Sequence, residues 1–160
     1  MASAPYIKLH PASQPSRALV ASGKFAVRLL PKWQMEQKLK PEYISRDPAV
    51  GKSWEEDELC HNIGTLEGMN GMIERGEEIE KGKVVVREGS VFIIHGSGDL
   101  ITHHDTSKAI FEAMPIQDKS MKSYDGWYHV RKFLLDNEGQ QAVTHVSNSS
   151  WRARRRQDHV

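Results

Sequence analysis

The sequence of 160 residues lacks several features that define large classes of protein. Its one cysteine, Cys60, excludes an internal disulfide framework and favours a reducing compartment. No window approaches the roughly 18 consecutive apolar residues of a membrane-spanning helix. The N-terminus has neither the basic nor the apolar region of a secretory signal. We therefore expect a protein that is not secreted and has no transmembrane helix.

A dominant charge is also absent, since 22 lysines and arginines face 21 aspartates and glutamates, for a net charge of +1. Without a strongly basic balance, the chain as a whole does not predict a nucleic-acid partner. Charged residues at 27% and hydrophobic residues at 38% are compatible with a folded domain, and the length fits one domain of ordinary size. Composition therefore predicts a globular domain and does not identify its function.

Two segments in the second half carry the strongest signal. The first, Phe92–Asp99 (FIIHGSGD), is an apolar run that ends in Gly-x-Gly-Asp; the second, Tyr124–His129 (YDGWYH), ends 30 residues after Asp99. An apolar run bounded by glycines is typical of a strand buried on both faces. A helix over 104–114 between two such strands predicts a parallel βαβ unit. Asp99 and His129 then lie at the carboxyl ends of neighbouring strands, as the acid and base of a catalytic triad do.

The third member of such a triad is missing from the sequence. In α/β-hydrolases the order is nucleophile, acid, histidine, with the nucleophile on a Gly-x-Ser-x-Gly turn. None of the fourteen serines has glycines two residues before and two after it. Cys60 is a poor substitute, because the four carboxylates of Glu55–Glu58 precede it and disfavour a thiolate. The pattern thus predicts the acid and the base of a catalytic triad without its nucleophile.

The pattern of the first half of the chain predicts mainly helices. Apolar residues at three- and four-residue steps predict a helix over 16–30, stopped by Pro31, and a second from Thr65 to about Glu80. Short helical pieces and loops are expected over 32–52. The sequence also predicts the following smaller features: the end of a buried strand at Ala2–Pro5, a capping box at Ser53–Glu56, a short extended piece at Val84–Val86, a strand at Met121–Tyr124 and a last helix over 138–154.

Further blocks make the chain resemble the monoglyceride lipases of the α/β-hydrolase superfamily, particularly the fungal ones. The resemblance runs nearly end to end. The last two blocks are shared widely among serine hydrolases, and the middle ones are typical of the narrower group. The blocks are Ala2–Pro5, Leu9–Pro11, Gln14–Ser16, Arg28–Pro31, Asp57–His61, Gly64–Met69, His95–Asp99 and Tyr124–His129.

The resemblance implies the C-terminal portion of an α/β-hydrolase fold, in which a helical cap precedes a small parallel sheet of two or three strands with crossover and C-terminal helices. It implies four segments: a strand end at 1–5, the cap or lid at 6–83, the core with the acid and the histidine at 84–156, and a tail at 157–160. In such lipases the part before Ala2 holds the first strands, the nucleophilic serine and the oxyanion loop. A truncated gene product, or gene model, is one expectation that follows.

The same resemblance implies roles for individual residues. Asp99 becomes the triad acid and His129 the base. The cap would line the entrance for an acyl chain, with substrate contacts from Leu66, Met69, Met72 and Ile73, and would rest on a membrane surface. The implied substrate is a monoacylglycerol or another lipid ester, with no cofactor and no metal. An intracellular location is implied, cytoplasmic or peripheral on lipid droplets or membranes.

Two functions stay open at this point. One is a serine hydrolase fragment that is inactive alone for want of its nucleophile and oxyanion loop. The other is a non-catalytic module, derived from the cap, that binds lipid or a partner. Activity against a soluble ester, compared with binding to lipid vesicles, separates the two.

Several local patterns have more than one interpretation. The run His95–Gly98 imitates the oxyanion motif of esterases, although that motif belongs before the nucleophile. A cluster of histidines and aspartates invites a metal site, but it lacks the His-x-x-x-His spacing that puts two ligands on one helix face. Its members are His95, Asp99, His103, His104 and Asp105. The cap methionines pack the cap on itself, form a rim for a lipid tail, or do both. The basic end, Arg152–Arg156, is a solvated helix end or a contact for anionic lipid headgroups.

Overall fold

The larger sheet has three short parallel strands, and the mainly helical segment called the cap follows the first of these strands in the sequence and precedes the other two. The structure, a computed structural model, describes residues 1–37, 39–60 and 62–129. No helix in these ranges is long and apolar enough to span a membrane. The elements are β1 (Ala2–Ser3), α1 (Arg17–Leu29), β2 (Gln34–Glu36), α2 (Pro41–Ile44), α3 (Pro48–Glu55), β3 (Ile63–Thr65), α4 (Leu66–Glu80), β4 (Val91–Gly96), α5 (His104–Ala113) and β5 (Lys119–Tyr124).

The sheet has the order β1-β4-β5, with both pairs parallel. In β1, Ala2 pairs with Ile93 and Ser3 with Ile94, and the N–H of Ala4 extends the pairing by donating to the carbonyl oxygen of Ile94 at 2.8 Å. The central strand β4 is the most buried, as its apolar run predicts, with Ile93 and Ile94 each 2% exposed. The small parallel sheet is confirmed, and Ala2–Ser3 form a strand of it. That strand is not buried as predicted, because Ala2 is half-buried and Ser3 is exposed.

Helix α5 makes the crossover between β4 and β5, close to the predicted 104–114. The side chain of Lys119, the first residue of β5, stabilises the C-terminal end of helix α5. The Lys119 ammonium donates to the carbonyl oxygens of Phe111, Glu112 and Met114 at 2.8, 3.0 and 2.7 Å. These carbonyls lie in the last turn of the helix or just after it, where intrahelical donors run out, so a cation binds them and complements the helix dipole. Strand β5 begins at Lys119, two residues before its predicted start at Met121.

The cap is built on two longer helices, α1 and α4, whose predicted bounds are confirmed. The Ser16 hydroxyl accepts from the N–H of Leu19 at the start of α1, and the Thr65 hydroxyl accepts from the N–H of Gly68 at the start of α4. Each cap satisfies a backbone donor that the first turn leaves open. The two helices are neighbours, and Lys24 of α1 lies 3.6 Å from Glu77 of α4.

The capping box predicted at Ser53–Glu56 is wrong. Ser53 lies inside α3, which begins earlier, at Pro48. The carboxylate of Asp47 caps that helix by accepting from the N–H of Ala49 at 2.9 Å. An aspartate followed by proline is the stronger start signal, because the acid accepts a free backbone donor and proline fits the first helical position.

The prediction of a purely helical cap is wrong in one respect, because the cap also contains a pair of strands. Strands β2 and β3 pair antiparallel, with Gln34 opposite Thr65 and Glu36 opposite Ile63. Three-residue strands are too short for a periodic pattern to reveal. The extended piece predicted at Val84–Val86 forms no strand, and Val84 and Val86 are 54% and 41% exposed. The predicted helix over 138–154 and the basic end lie outside the described residues.

Candidate active site

The turn after β4 carries Asp99 and fixes its carboxylate. Asp99 is 2% exposed. Its Oδ1 accepts hydrogen bonds from the backbone N–H groups of Ile101 and Thr102 at 2.8 and 2.9 Å. These two donors come from the residues just after the acid, so the turn itself holds the side chain. A second segment supports the turn: the N–H of His10 donates to Ile101 and the N–H of His103 donates to Lys8, both at 2.9 Å.

The loop after β5 carries His129 and is joined to the first turn by Ser97. The Ser97 hydroxyl donates to Oδ1 of Asp125 at 3.1 Å and accepts from the N–H of Gly126 at 2.8 Å. The N–H of Ser97 donates to the carbonyl oxygen of Tyr124 at 2.9 Å. Gly126 has a φ of 65°, a conformation that glycine adopts without strain. These hydrogen bonds therefore join the turn after β4 to the loop after β5.

Glycines allow the two loops to approach this closely. A side-chain carbon at Gly96 would clash with the carbonyl oxygen of Trp127, and one at Gly98 would lie 3.0 Å from the carbonyl oxygen of Gly126. Both distances are closer than ordinary van der Waals contact, so a larger residue would push the histidine loop away. The Gly-x-Gly-Asp pattern is thus a packing requirement at this site.

Asp99 and His129, which strand topology predicts to be neighbours, are in direct contact. Nδ1 of His129 lies 2.8 Å from Oδ2 of Asp99. The His129 side chain is 28% exposed, whereas the acid is fully enclosed. Because the two ring nitrogens face opposite ways, an acid held on Nδ1 leaves Nε2 directed away from the carboxylate. That geometry is the one in which a buried acid orients a general base.

Two further side chains contact the same carboxylate oxygen, and the sequence did not predict either contact. The Thr102 hydroxyl donates to Oδ2 of Asp99 at 2.8 Å, and Nε2 of His95 lies 3.2 Å from the same atom. The Thr102 oxygen is also 3.3 Å from Nδ1 of His129. The only available signal was position, because His95 ends a buried strand and Thr102 follows the acid by three residues.

These contacts keep the acid ionised. Burial alone would raise the pKa of the Asp99 carboxyl group, because it disfavours the charged form. The hydrogen bonds from His129 and His95 act in the opposite direction, with help from the charge of His129 and the N–H of Thr102. Together they outweigh burial and hold the pKa of Asp99 well below its ordinary value of 3.8. A carboxylate in this state can stabilise a positive charge that forms on His129.

The structure does not support an oxyanion hole at His95–Gly98, because the backbone N–H groups there already have partners. The N–H of Ser97 donates to Tyr124, that of Gly98 to Trp127 at 2.9 Å, and that of Asp99 to Gly96 at 3.3 Å. An oxyanion hole needs donors aimed at a reacting atom, and these three are engaged within the two loops.

The residues that invited a metal hypothesis bind one another or their neighbours. His104 contacts Asp105 at 3.0 Å and Ser123 at 2.8 Å, and Nδ1 of His103 lies 2.8 Å from the hydroxyl of Thr106. The His104 imidazole lowers the pKa of the exposed Asp105 carboxyl group. Within the described residues, no group of three or more histidines, cysteines, aspartates or glutamates is arranged to hold a metal ion.

An apolar groove of about 370 Å³ runs between α1 and α4 in the cap. Three of the four residues predicted to contact substrate line it: Leu66, Met69 and Ile73. The fourth, Met72, is not among the lining residues, and its side chain is 38% exposed. Leu19, Leu30 and Trp33 line the same groove and were not predicted. Asp99 and His129 do not line it.

Comparison with known proteins identifies the family. The model of the serine aminopeptidase family, S33, matches residues 1–135. The chain belongs to the serine aminopeptidase family, S33. This match spans the cap, the three-stranded sheet and both residues of the acid–histidine pair.

Relatives of this S33 chain include lipases. It is 29% identical over 133 residues to a Schizosaccharomyces pombe protein named “Putative monoglyceride lipase”. A Paleococcus ferrophilus monoacylglycerol lipase structure has a TM-score of 0.78 at 26% identity, over 90% of this chain. A soluble variant of Saccharomyces cerevisiae monoglyceride lipase, in complex with a substrate analogue, has a TM-score of 0.74 at 21% identity, over 89% of this chain.

These comparisons confirm the resemblance to monoglyceride lipases and the partial α/β-hydrolase fold. This S33 chain covers 34% of the length of the Schizosaccharomyces pombe relative, 55% of the Paleococcus ferrophilus structure and 51% of the Saccharomyces cerevisiae structure. It therefore corresponds to between a third and just over a half of the length of these three relatives.

Proposed function

We propose that this chain is the acid–base portion of a serine hydrolase that cleaves monoacylglycerols to fatty acid and glycerol. The observation that carries the proposal is the 2.8 Å contact between Nδ1 of His129 and Oδ2 of Asp99, at the ends of adjacent parallel strands. The names of the lipase relatives support the choice of a monoacylglycerol as substrate.

In the proposed mechanism His129 is the general base and Asp99 its orienting acid. Asp99 accepts a hydrogen bond from the Nδ1–H group of His129, so the lone pair of Nε2 is free to take a proton from a serine hydroxyl. The serine oxygen attacks the ester carbonyl, and the carboxylate stabilises the imidazolium until its proton passes to the leaving glycerol oxygen. Water, deprotonated by the same base, then releases the fatty acid from the acyl-serine. The buried, ionised state of Asp99 supports this role, because a neutral acid could not stabilise that charge.

The 160 residues contain no Gly-x-Ser-x-Gly turn, so we propose that this polypeptide alone hydrolyses no ester. The serine and the oxyanion donors would have to come from residues outside this sequence. We propose further that 6–83 is the cap, that 84–156 belongs to the catalytic core, and that the groove between α1 and α4 accepts the acyl chain through Leu66, Met69 and Ile73. Met72 would contact substrate only from outside that groove.

A specific observation favours a second function, binding to lipid surfaces. Helix α1 and the residues just after it expose several large apolar side chains. Such a group is typical of a surface that contacts a membrane or a partner. The exposed residues are Leu19, Phe25, Leu29, Leu30 and Trp33, between 52% and 68% exposed. Surface binding is compatible with the hydrolase proposal and also with a non-catalytic module.

A two-part experiment tests the catalytic proposal. The purified chain should neither hydrolyse p-nitrophenyl butyrate nor react with a fluorophosphonate probe. A fusion in which a donor lobe with a Gly-x-Ser-x-Gly turn precedes Ala2 should do both, and should hydrolyse monoolein. In the fusion, His129→Gln should lower turnover by about 10⁴-fold, as loss of a triad function does. His10→Gln is the control and should retain turnover, because it keeps the backbone bond from the N–H of His10 to Ile101 and removes only an imidazole.

Two results would contradict the proposal. The isolated chain could hydrolyse the ester in a way that His129→Ala abolishes. Alternatively, the folded fusion could keep its turnover in the His129→Gln variant, which would show that His129 is not the base.

A further inference from the structure

His95 is a second imidazole on the carboxylate of Asp99, and the proposed mechanism does not use it. It lies near the end of β4 and is 1% exposed. Its Nε2 is 3.2 Å from Oδ2 of Asp99 and 3.2 Å from the Thr102 hydroxyl. Its Nδ1 is buried and has no hydrogen-bond partner among the described residues.

This environment selects one tautomer of the His95 ring. In a neutral imidazole one nitrogen carries the proton and the other is an acceptor. A proton on Nδ1 would leave a buried N–H without a partner and would set the lone pair of Nε2 against a carboxylate, which costs free energy. A proton on Nε2 instead donates to Asp99. The geometry therefore favours an Nε2–H donor.

The other groups around His95 hold its ring in place. From α5, His104 lies edge-on to it, with ring centroids 5.4 Å apart and an interplanar angle of 79°. His104 is itself bound to Ser123 of β5, the residue that pairs with His95 in the sheet, and to Asp105. The titratable groups that face His95 are thus Asp99, with His129 behind it, and His104. The ring is fixed by packing on one side and by the acid on the other.

We propose that His95 is a positioning residue for the triad acid. As an Nε2–H donor it shares Oδ2 of Asp99 with His129 and Thr102, and it thereby sets the orientation of the carboxylate and the strength of its hydrogen bond to His129. A carboxylate oxygen with fewer donors binds each remaining donor more strongly. The inference rests on the proposed function, because the acid matters for catalysis only if His129 is the base.

The first test needs no substitution. Two-bond ¹H–¹⁵N correlation spectra of the full chain report which ring nitrogen of each histidine carries the proton. We expect His95 to carry it on Nε2. A proton on Nδ1 of His95 would overturn the proposal, because His95 could not then donate to Asp99.

The second test follows the Nδ1 proton of His129 by nuclear magnetic resonance. His95→Leu should move that resonance to lower field, because Oδ2 has lost a competing donor. His95→Gln should restore the wild-type position, because its amide N–H can reach the same oxygen. Ser107→Ala is the control: Ser107 is 0% exposed, and its hydroxyl has no hydrogen-bond partner among the described residues, so it does not donate to Asp99.

The outcomes separate cleanly. An unchanged resonance in His95→Leu, or an equal shift in Ser107→Ala, would overturn the proposal. If His95→Leu does not fold, the glutamine variant decides: a wild-type resonance supports the role and a shifted one overturns it. If wild-type His129 shows no Nδ1 proton, the proposed function fails, and the tautomer of His95 still decides whether it donates to Asp99.

Discussion

The backbone N–H of Gly98 donates to the carbonyl oxygen of Trp127 at 2.9 Å, and this bond joins the turn of the acid to the loop of the histidine. It forms because neither Gly96 nor Gly98 places a side-chain carbon between the two segments. The contact between Asp99 and His129 therefore depends on backbone packing at Gly96, Gly98 and Trp127, one to three residues away from the two side chains.

This close approach predicts an effect of Gly96→Ala. The added methyl group would meet the carbonyl oxygen of Trp127, so we expect a loss of about 2 kcal/mol or more in the free energy of unfolding, as overpacking of rigid backbone causes. Gly23→Ala is the matched control, because nothing lies within 4 Å of the added carbon. That change, inside α1, should stabilise the protein by about 0.5–1 kcal/mol. Urea unfolding measures both, and equal effects would contradict this reading of the loops.

The ionised state of Asp99 predicts that Asp99→Asn changes how the free energy of unfolding depends on pH. Because the pKa of Asp99 is lowered in the folded state, its carboxylate stabilises the fold above the ordinary pKa of 3.8, and that stabilisation is lost as pH falls through the folded value. At pH 7 the variant should be less stable by about 2–3 kcal/mol, for hydrogen bonds to a buried charge. The gap should narrow by about 1 kcal/mol between pH 5 and pH 3.

Urea unfolding of wild type and Asp99→Asn at a series of pH values measures that gap. Asparagine does not titrate, and the other acidic groups cancel in the difference. A gap that stays constant down to pH 3 would mean that the acid is not stabilised as a carboxylate.

Met69 and Met72 form a natural pair for testing the acyl groove. Met69 lines the groove and Met72 does not, although both were expected to contact substrate. Met69→Gln should weaken binding of a fluorescent fatty-acid probe, dansyl-undecanoic acid, about fivefold, since it places an amide against an apolar ligand. Met72→Gln should bind as wild type does. Equal effects, measured by fluorescence titration, would place the acyl chain elsewhere.

The exposed face of α1 predicts binding to lipid. Phe25 and Leu29 lie one turn apart, are 66% and 68% exposed, and do not line the groove. The double variant Phe25→Ser, Leu29→Ser should lower partitioning onto phosphatidylcholine vesicles about 30-fold, for about 2 kcal/mol of lost apolar burial. The control, Val84→Ser with Val86→Ser, removes exposed apolar side chains outside the proposed cap. Flotation assays in which both double variants bind alike would argue against contact through α1.

The sequence predicted those parts of the fold that have long patterns or strong start signals. Helices α1 and α4 have three- and four-residue periodicity with a hydroxyl cap, and β4 is a continuous apolar run between glycines. The ribbon of β2 and β3 could not be predicted, because three residues give no periodicity and the pairing is non-local. The capping-box pattern at Ser53 is a weaker start signal than an aspartate followed by proline, and the helix is capped at Asp47, six residues before Ser53.

The acid–histidine pair could be predicted because parallel strands end at one edge of a sheet, which brings their loops together whatever the details. The other contacts of Asp99 could not be predicted. Whether His95 and Thr102 turn toward the acid depends on ring orientation and on a hydroxyl rotamer in a tight turn. The His95 ring packs against His104 of α5, and the Thr102 hydroxyl lies 3.5 Å from the carbonyl oxygen of Ala4, which is 98 residues away in sequence.

The central claim is that Asp99 holds the proton of His129 on Nδ1 and leaves Nε2 free to act as a base. The ¹⁵N chemical shifts of the neutral His129 ring test this most directly. The account predicts a proton on Nδ1, with its signal lost or displaced in Asp99→Asn and kept in Ser107→Ala. A proton on Nε2 in the wild-type chain, or an Nδ1 signal indifferent to Asp99→Asn, would contradict it.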